Sequence, residues 1–229
     1  LLIITALLIA TGIIMIFSTS PVSSLNTFNN SLVFIKKHLI YVSIGTIALM
    51  IGAIIPHTLY KRYNLELLLI STLVLSCTLI PNLGIQLGGA KRWLNLGFIQ
   101  IQPVECIKFA IIVYISAALE HKHHVIRQFQ KSILPITIMI SIPLLILLAQ
   151  PDLGNTILIT SIFITLLFLS PIKITHLITL IITGLYGFTI SILTHPYQKQ
   201  RILSFLDPFS DPTGTTYHIS QSLIAIGSG

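Results

Sequence analysis

The chain has 229 residues, 54% of them hydrophobic and 8% charged, and its mean hydropathy is +0.93. Soluble domains carry roughly 25% charged residues, so this composition excludes an ordinary water-soluble fold and leaves the bilayer as the solvent. The formal charge of +7 does not point to nucleic acid, because the 13 Lys and Arg residues are scattered, mostly in pairs, between apolar runs instead of forming a phosphate-tracking face.

The apolar runs are about 17 to 20 residues long, the length at which a helix crosses roughly 30 Å of hydrocarbon. In chain order they fall at 1–17, 38–55, 65–80, 104–119, 133–149, 153–169 and 176–193, and an eighth opens near Ile219. No series of ten-residue segments with alternating polarity is present, as a membrane β-barrel would require. The expected fold is all-α: a polytopic transmembrane helix bundle of about seven spans in a single membrane domain over 1–229. Between the spans the sequence predicts loops, Ser/Asn-rich at 18–30, basic at 56–64, glycine-marked at 81–103, His-rich at 120–132, short at 171–175 and long and polar at 195–217. The chain opens on Leu1 inside an apolar run and stops at Gly229, which predicts a fragment of a longer protein.

Alternating these loops across a membrane places Lys36, Lys37, Lys91, Arg92, Lys199 and Arg201 on one side. Lys61, Arg62, Lys122, Arg127, Lys131 and Lys173 fall on the other. The two sets are equal, so the positive-inside rule does not orient the chain. Cys77 and Cys106 lie in apolar segments and read as small core residues, too few for a disulfide framework or a zinc site. E-H-K-H-H at 120–124 has no recognised ligand spacing and reads as a partly charged loop.

Three stretches could carry chemistry. In G-G-A-K-R-W-L-N-L-G-F-I-Q-I-Q-P-V-E-C-I-K (88–108), Lys91 and Arg92 bring positive charge to headgroup level, and Trp93 prefers the interface. Glu105 and Lys108 share a helix face at i, i+3 one turn inside the fourth span. As lone charges in lipid each costs at least ~2.5–3.5 kcal/mol, so they should pair and turn toward other helices or a wet cavity. Such a pair is either structural or part of a cavity that meets an anionic headgroup. In Q-P-D-L-G (150–154), Pro151 suits the first helical position and Asp152 the first turn. Helix capping accounts for Asp152 as completely as a role in a substrate or metal site does. In the long loop, Asp207-Pro208 and Asp211-Pro212 repeat at a spacing of four, with Lys199 and Arg201 upstream. Each Asp is a turn former or a general base.

Four motifs in order resemble one family: G-G-A-K-R-W-L-N-L-G-F (88–98), Q-P-V-E-C-I-K (102–108), Q-P-D-L-G-N-T (150–156) and F-L-D-P-F-S-D-P-T-G-T-T-Y-H-I-S-Q-S-L-I-A-I-G-S-G (205–229). The chain resembles the SEDS proteins (shape, elongation, division and sporulation), represented by RodA and FtsW, over about two-thirds of a typical ten-span member. The resemblance implies a peptidoglycan glycosyltransferase that polymerises lipid II for cell elongation and shape or for division. It acts on the outer face of the bacterial cytoplasmic (inner) membrane through an external catalytic loop, here 195–217.

Because FtsW-type sequences often carry Asn where this chain has Asp207, the resemblance assigns the catalytic carboxylate to Asp211. It places Glu105, Lys108 and Asp152 in the central cavity, and Lys91, Arg92, Arg201, Asp207 and Gln221 are further candidates for substrate binding or cavity lining. It implies an undecaprenyl-diphosphate-linked donor, inversion at the sugar, a class B penicillin-binding protein as partner, and room for a divalent cation (Mg or Mn) as the only cofactor. Val104 replaces the family's usual Ser, and Thr215-Thr216 a common small-plus-Gly pair. P-Y-Q-K-Q-R-I (196–202) and Asp207 look more like RodA than FtsW. A lipid flippase or transporter, or a membrane scaffold for a cell-wall complex, would also keep charges such as Glu105 and Lys108 inside a span.

Overall fold

The computed structural model describes residues 2–81, 83–87, 90–95, 97, 100–194, 199, 203–204, 206–211, 214 and 216–228. These fall into two compact units, 1–60 and 61–229. In the first, helix α1 (Leu2–Thr19) is followed by α2 (Pro21–Phe28) and α3 (Val33–Ile54). In the second, α5 (Asn64–Ser76) leads into a small sheet and then α6 (Pro103–His121), α7 (Leu134–Ala149), α8 (Leu153–Phe168), α9 (Ile174–Thr194) and α10 (Tyr217–Ser228). A short helix, α4 (His57–Arg62), joins the two stretches of chain.

Each of the seven expected spans is a helix, α1, α3 and α5–α9. Among the described residues, four helical segments are long and apolar enough to cross a membrane on their own: α1, α3, Phe129–Ala149 and α9. Asn64–Leu79 and α8 are shorter apolar helices, and α6 carries Glu105, Lys108 and Glu120. The polar groups follow the same logic. In lipid no water can satisfy a hydroxyl, and Thr19, Thr46, Thr72, Thr137, Thr160 and Thr183 each donate back to the carbonyl four residues earlier.

Large apolar side chains cover the outside, Ile3, Ile54 and Leu169 among them. On a soluble protein such a surface would aggregate; here it is lipid-facing. The core of the second unit is built from Leu68 and Leu75 of α5, Ile107, Ile111 and Ile115 of α6, Ile136, Ile140 and Leu147 of α7, and Ile159, Phe163 and Leu167 of α8. Cys106, expected in the core, is exposed on the other face of α6, and Cys77 is half-buried.

Several stretches expected to be loops hold regular structure, including α4 within 56–64 and a 3-10 turn (His123–Val125) within 120–132. Within 18–30, Pro21 takes the first helical position of α2, where its missing N–H costs nothing, and Asn29 ends the helix in the left-handed region at φ 53. Within 81–103 lies a three-stranded antiparallel sheet, β1 (Gly84–Leu87), β2 (Ala90–Asn95) and β3 (Gln100–Ile101), in the order β1-β2-β3. Its longest strand has six residues, short of the roughly 9–11 a membrane strand needs, so it is a cap between α5 and α6 and not a span.

Candidate functional site

The sheet brings Arg92 to the junction of α7 and α8. Strand β2 packs against α6 and against the turn of 3-10 helix after α5. From there the Arg92 Nε lies 3.4 Å from Asp152 Oδ2, with side-chain exposures of 18% and 2%. Asp152 is the N-cap residue of α8 and not part of its first turn as expected, and Pro151 precedes the cap instead of opening the helix. Its carboxylate accepts from the Asn155 backbone N–H at 3.4 Å and from Asn155 Nδ2 at 2.7 Å. Asp152 therefore caps the helix and faces a buried cation at once. Arg92 Nε faces Asp152 without a closed hydrogen bond, and Nη2 is buried without a hydrogen-bond partner among the described residues, an arrangement that a buried polar group rarely keeps unless something else engages it.

Gln150, which the sequence reading quoted inside its motif without singling out, ties this junction to α5. It is buried, and its Nε2 donates to Thr78 Oγ1 at 2.5 Å and to the Leu75 carbonyl at 3.4 Å. Its only advance signal was an amide beside a helix break in an otherwise apolar run.

Glu105 and Lys108 do pair, Nζ to Oε1 at 2.7 Å. They sit at the edge of the core and not within it: the Lys108 side chain is 21% exposed and that of Glu105 60%. Helix geometry explains the asymmetry. At 100° per residue Lys108 lies about 40° from Val104 on the buried face, whereas Glu105 lies about 100° away.

The two loop acids occupy separate turns. The Asp207 carbonyl accepts from the backbone N–H and hydroxyl of Ser210, and its side chain is exposed. Asp211 is half-buried and more tightly held. Its N–H donates to Thr216 Oγ1 at 3.2 Å, and its carbonyl accepts from the N–H groups of Gly214 and Thr216 at 3.1 and 3.3 Å. Gly214 lies against the carboxylate; a β-carbon there would come within 2.8 Å of Asp211 Cγ and Oδ1. The sequence reading quoted Gly214 without assigning it this role. Lys91 is exposed on β2 and Gln221 on α10. Arg201 and most of the loop upstream of Leu203 lie outside the described residues.

Helix α9 starts where the His176 ring meets Phe129, at 5.2 Å, and its 21 residues carry the chain about 30 Å away before the loop begins. No group of three or more His, Cys, Asp or Glu that could hold a metal ion occurs among the described residues. The Asp152 oxygens are already engaged by Arg92 and Asn155. These side chains therefore do not fit a protein-held divalent cation.

The comparisons with known proteins bear on the family and the fold. The family model for FtsW, RodA and SpoVE, described as "Cell cycle protein", matches residues 1–229. Stage V sporulation protein E of Bacillus subtilis is 34% identical over 229 residues, covering 100% of this chain and 63% of that protein. The probable peptidoglycan glycosyltransferase FtsW of Saccharophagus degradans is 28% identical over 224 residues, covering 98% and 58%. A chain solved in a study of the structural coordination of polymerization and crosslinking by a peptidoglycan synthase complex superposes with a TM-score of 0.68. It is 24% identical, over 96% of this chain and 63% of that one. The chain thus spans about three-fifths of the length of the proteins it matches. With its family model matched from end to end and its helices in the same fold, the chain belongs to the FtsW, RodA and SpoVE family, the SEDS proteins, as a multi-pass membrane protein.

Proposed function

We propose that the protein is a peptidoglycan glycosyltransferase that polymerises lipid II, with Asp211 as its general base. The single observation that carries this reading is the end-to-end match to a family whose members include proteins named for that reaction. In the proposed step, Asp211 takes the proton from the 4-hydroxyl of the acceptor sugar. The oxygen then bonds to the anomeric carbon of the growing strand, the bond from that carbon to the lipid diphosphate breaks, and the carbon inverts. Undecaprenyl diphosphate leaves with the electron pair, and the proton on Asp211 returns to solvent.

Charge gathers on the diphosphate as the bond breaks, and fixed cations lower that barrier most where water is excluded. Arg92 is suited to this: it is largely buried, and its Nη2 has no hydrogen-bond partner among the described residues. Lys108, 21% exposed, is the second cation, with Lys91 and Arg201 as further cations. Asp152 positions Arg92, Glu105 holds Lys108, and Asp207 and Gln221 line the approach. A divalent cation, where used, would arrive on the substrate's diphosphate, and no step above runs through it.

The protein would sit in the bacterial inner membrane with loop 195–217 on the outer face and a class B penicillin-binding protein beside it. The comparison with a chain of a peptidoglycan synthase complex supports that partner. P-Y-Q-K-Q-R-I at 196–202 favours a RodA-like role in elongation over one in division. The test is to incubate the purified intact protein with lipid II. Glycan strands support the reading; transbilayer movement of lipid II without strands assigns the protein to the flippases instead.

A further inference from the structure

At the end of the bundle away from Arg92 and Asp152, the structure holds a second polar feature that the polymerase reading does not use. The end of α4 and the end of α6 meet there, with Lys61 Nζ 2.6 Å from Glu120 Oε1. The α6–α7 connection folds back as a 3-10 turn (His123–Val125) and, with Pro171 of the α8–α9 connection, lines an open-mouthed cavity of about 300 Å³. Its polar lining is His123, His124, Arg127 and Gln128, and no carboxylate lines it.

We infer that this cavity is a binding site for a phosphate-ester anion, specifically the headgroup of an anionic phospholipid. Charge supports this. Within the second unit this end carries Lys61, Arg62, Lys122, Arg127, Lys131 and Lys173 against two acids, Glu66 and Glu120. Glu120 is already engaged by Lys61. The Lys122 ammonium donates to the Lys131 carbonyl at 3.2 Å, which ties the two sides of the connection together. The donors also match a phosphate. A guanidinium forks onto two phosphate oxygens, and the edge-to-face imidazoles of His123 and His124, 5.5 Å apart, add N–H groups beside it.

Size and depth select the lipid. The cavity is at the small end of ligand pockets, matching one headgroup and not a glycolipid. It opens at the end of helices that are each 21 residues long, Phe129–Ala149 and α9. That length places it at the headgroup layer, where basic pockets between helices collect anionic lipids. Apolar Val125, Ile126 and Pro171 flank the donors, as a glycerol backbone would require.

The test titrates the intact detergent-purified protein with phosphatidylglycerol, phosphatidylcholine or inorganic phosphate, and reads bound adducts by native mass spectrometry. Phosphatidylglycerol should bind well ahead of phosphatidylcholine. Arg127→Gln should weaken it about tenfold, the loss expected for one charged hydrogen-bonding partner. Lys36→Gln, which removes one charge elsewhere, should leave it unchanged. His123→Gln/His124→Gln serves as a second probe if Arg127→Gln fails to fold by circular dichroism. Phosphatidylglycerol binding that inorganic phosphate does not displace assigns the site to a lipid. Phosphate that binds alone and displaces the lipid keeps the site's chemistry but overturns the lipid as its ligand. Equal binding of the two lipids, or no effect of both pocket variants, overturns the site. None of these readouts depends on lipid II polymerisation, so the polymerase reading can fail without touching this one.

Discussion

Removing the Asp152 charge while keeping its cap isolates the buried ion pair. Asp152→Asn retains an oxygen for the Asn155 N–H but strands the Arg92 guanidinium, whose side chain is only 18% exposed and whose Nε and Nη2 already lack hydrogen bonds among the described residues. Breaking a buried pair by removing one partner costs about 3–5 kcal/mol. The low end applies here, since Arg92 keeps some contact with solvent and the 3.4 Å separation is long for a charge-assisted bond. Asp152→Ala also loses the helix cap, worth about 1 kcal/mol more. Arg92→Met/Asp152→Asn removes both charges and should recover to within about 1 kcal/mol of the parent, because a pair replaced by neutral groups is close to balanced. For a chain of this size ~1 kcal/mol shifts the melting point by about 2–4 °C. Thermal unfolding in detergent should therefore show Asp152→Asn about 6–12 °C below the parent and the double variant most of the way back. If the single variant melts with the parent, or the double variant melts below both singles, the buried pair is not the organising contact of this junction.

Gly214→Ala needs no unusual backbone, yet its new methyl would displace the Asp211 carboxylate. Polymerisation should fall nearly as far as in an Asp211 variant while helix content is retained; full activity would remove Gly214 from the site. Gln150→Leu strips a buried partner from Thr78 and the Leu75 carbonyl, so stability should drop by about 1–3 kcal/mol; an unchanged melting curve would show that the link is idle. Lys108→Met should lower turnover of lipid II more than Glu105→Gln does, because Glu105 is 60% exposed and Lys108 21%. Equal losses would make the pair a structural unit and leave the leaving group to Arg92.

The spans were legible because in lipid the apolar run is itself the signal; no periodic face has to be found, and α1 and α9 end within two residues of their expected bounds. Capping chemistry was legible at Asp152, and so was the i, i+3 pairing of Glu105 with Lys108, since both are local. What depends on distance in sequence was not. Nothing near Arg92 names Asp152 as its partner, and the Gln150–Thr78 contact spans 72 positions. The sheet between α5 and α6 was hidden for another reason. Its strands run to six residues at most, too short for alternation to stand out from a glycine-marked loop. The exposure of Glu105 could not be foreseen either, because a polar residue on an apolar helix does not reveal which face its neighbours cover.

The most direct measurement of the central claim is lipid II polymerisation by the intact protein carrying Asp211→Asn, set beside Asp207→Asn. The amide keeps the size and hydrogen bonding of Asp211 but removes its basic oxygen, so turnover should fall by the ~10²–10⁴ typical of a lost general base, with Asp207→Asn far less affected. Normal polymerisation by Asp211→Asn would contradict the account, and loss in Asp207→Asn alone would move the base to that residue.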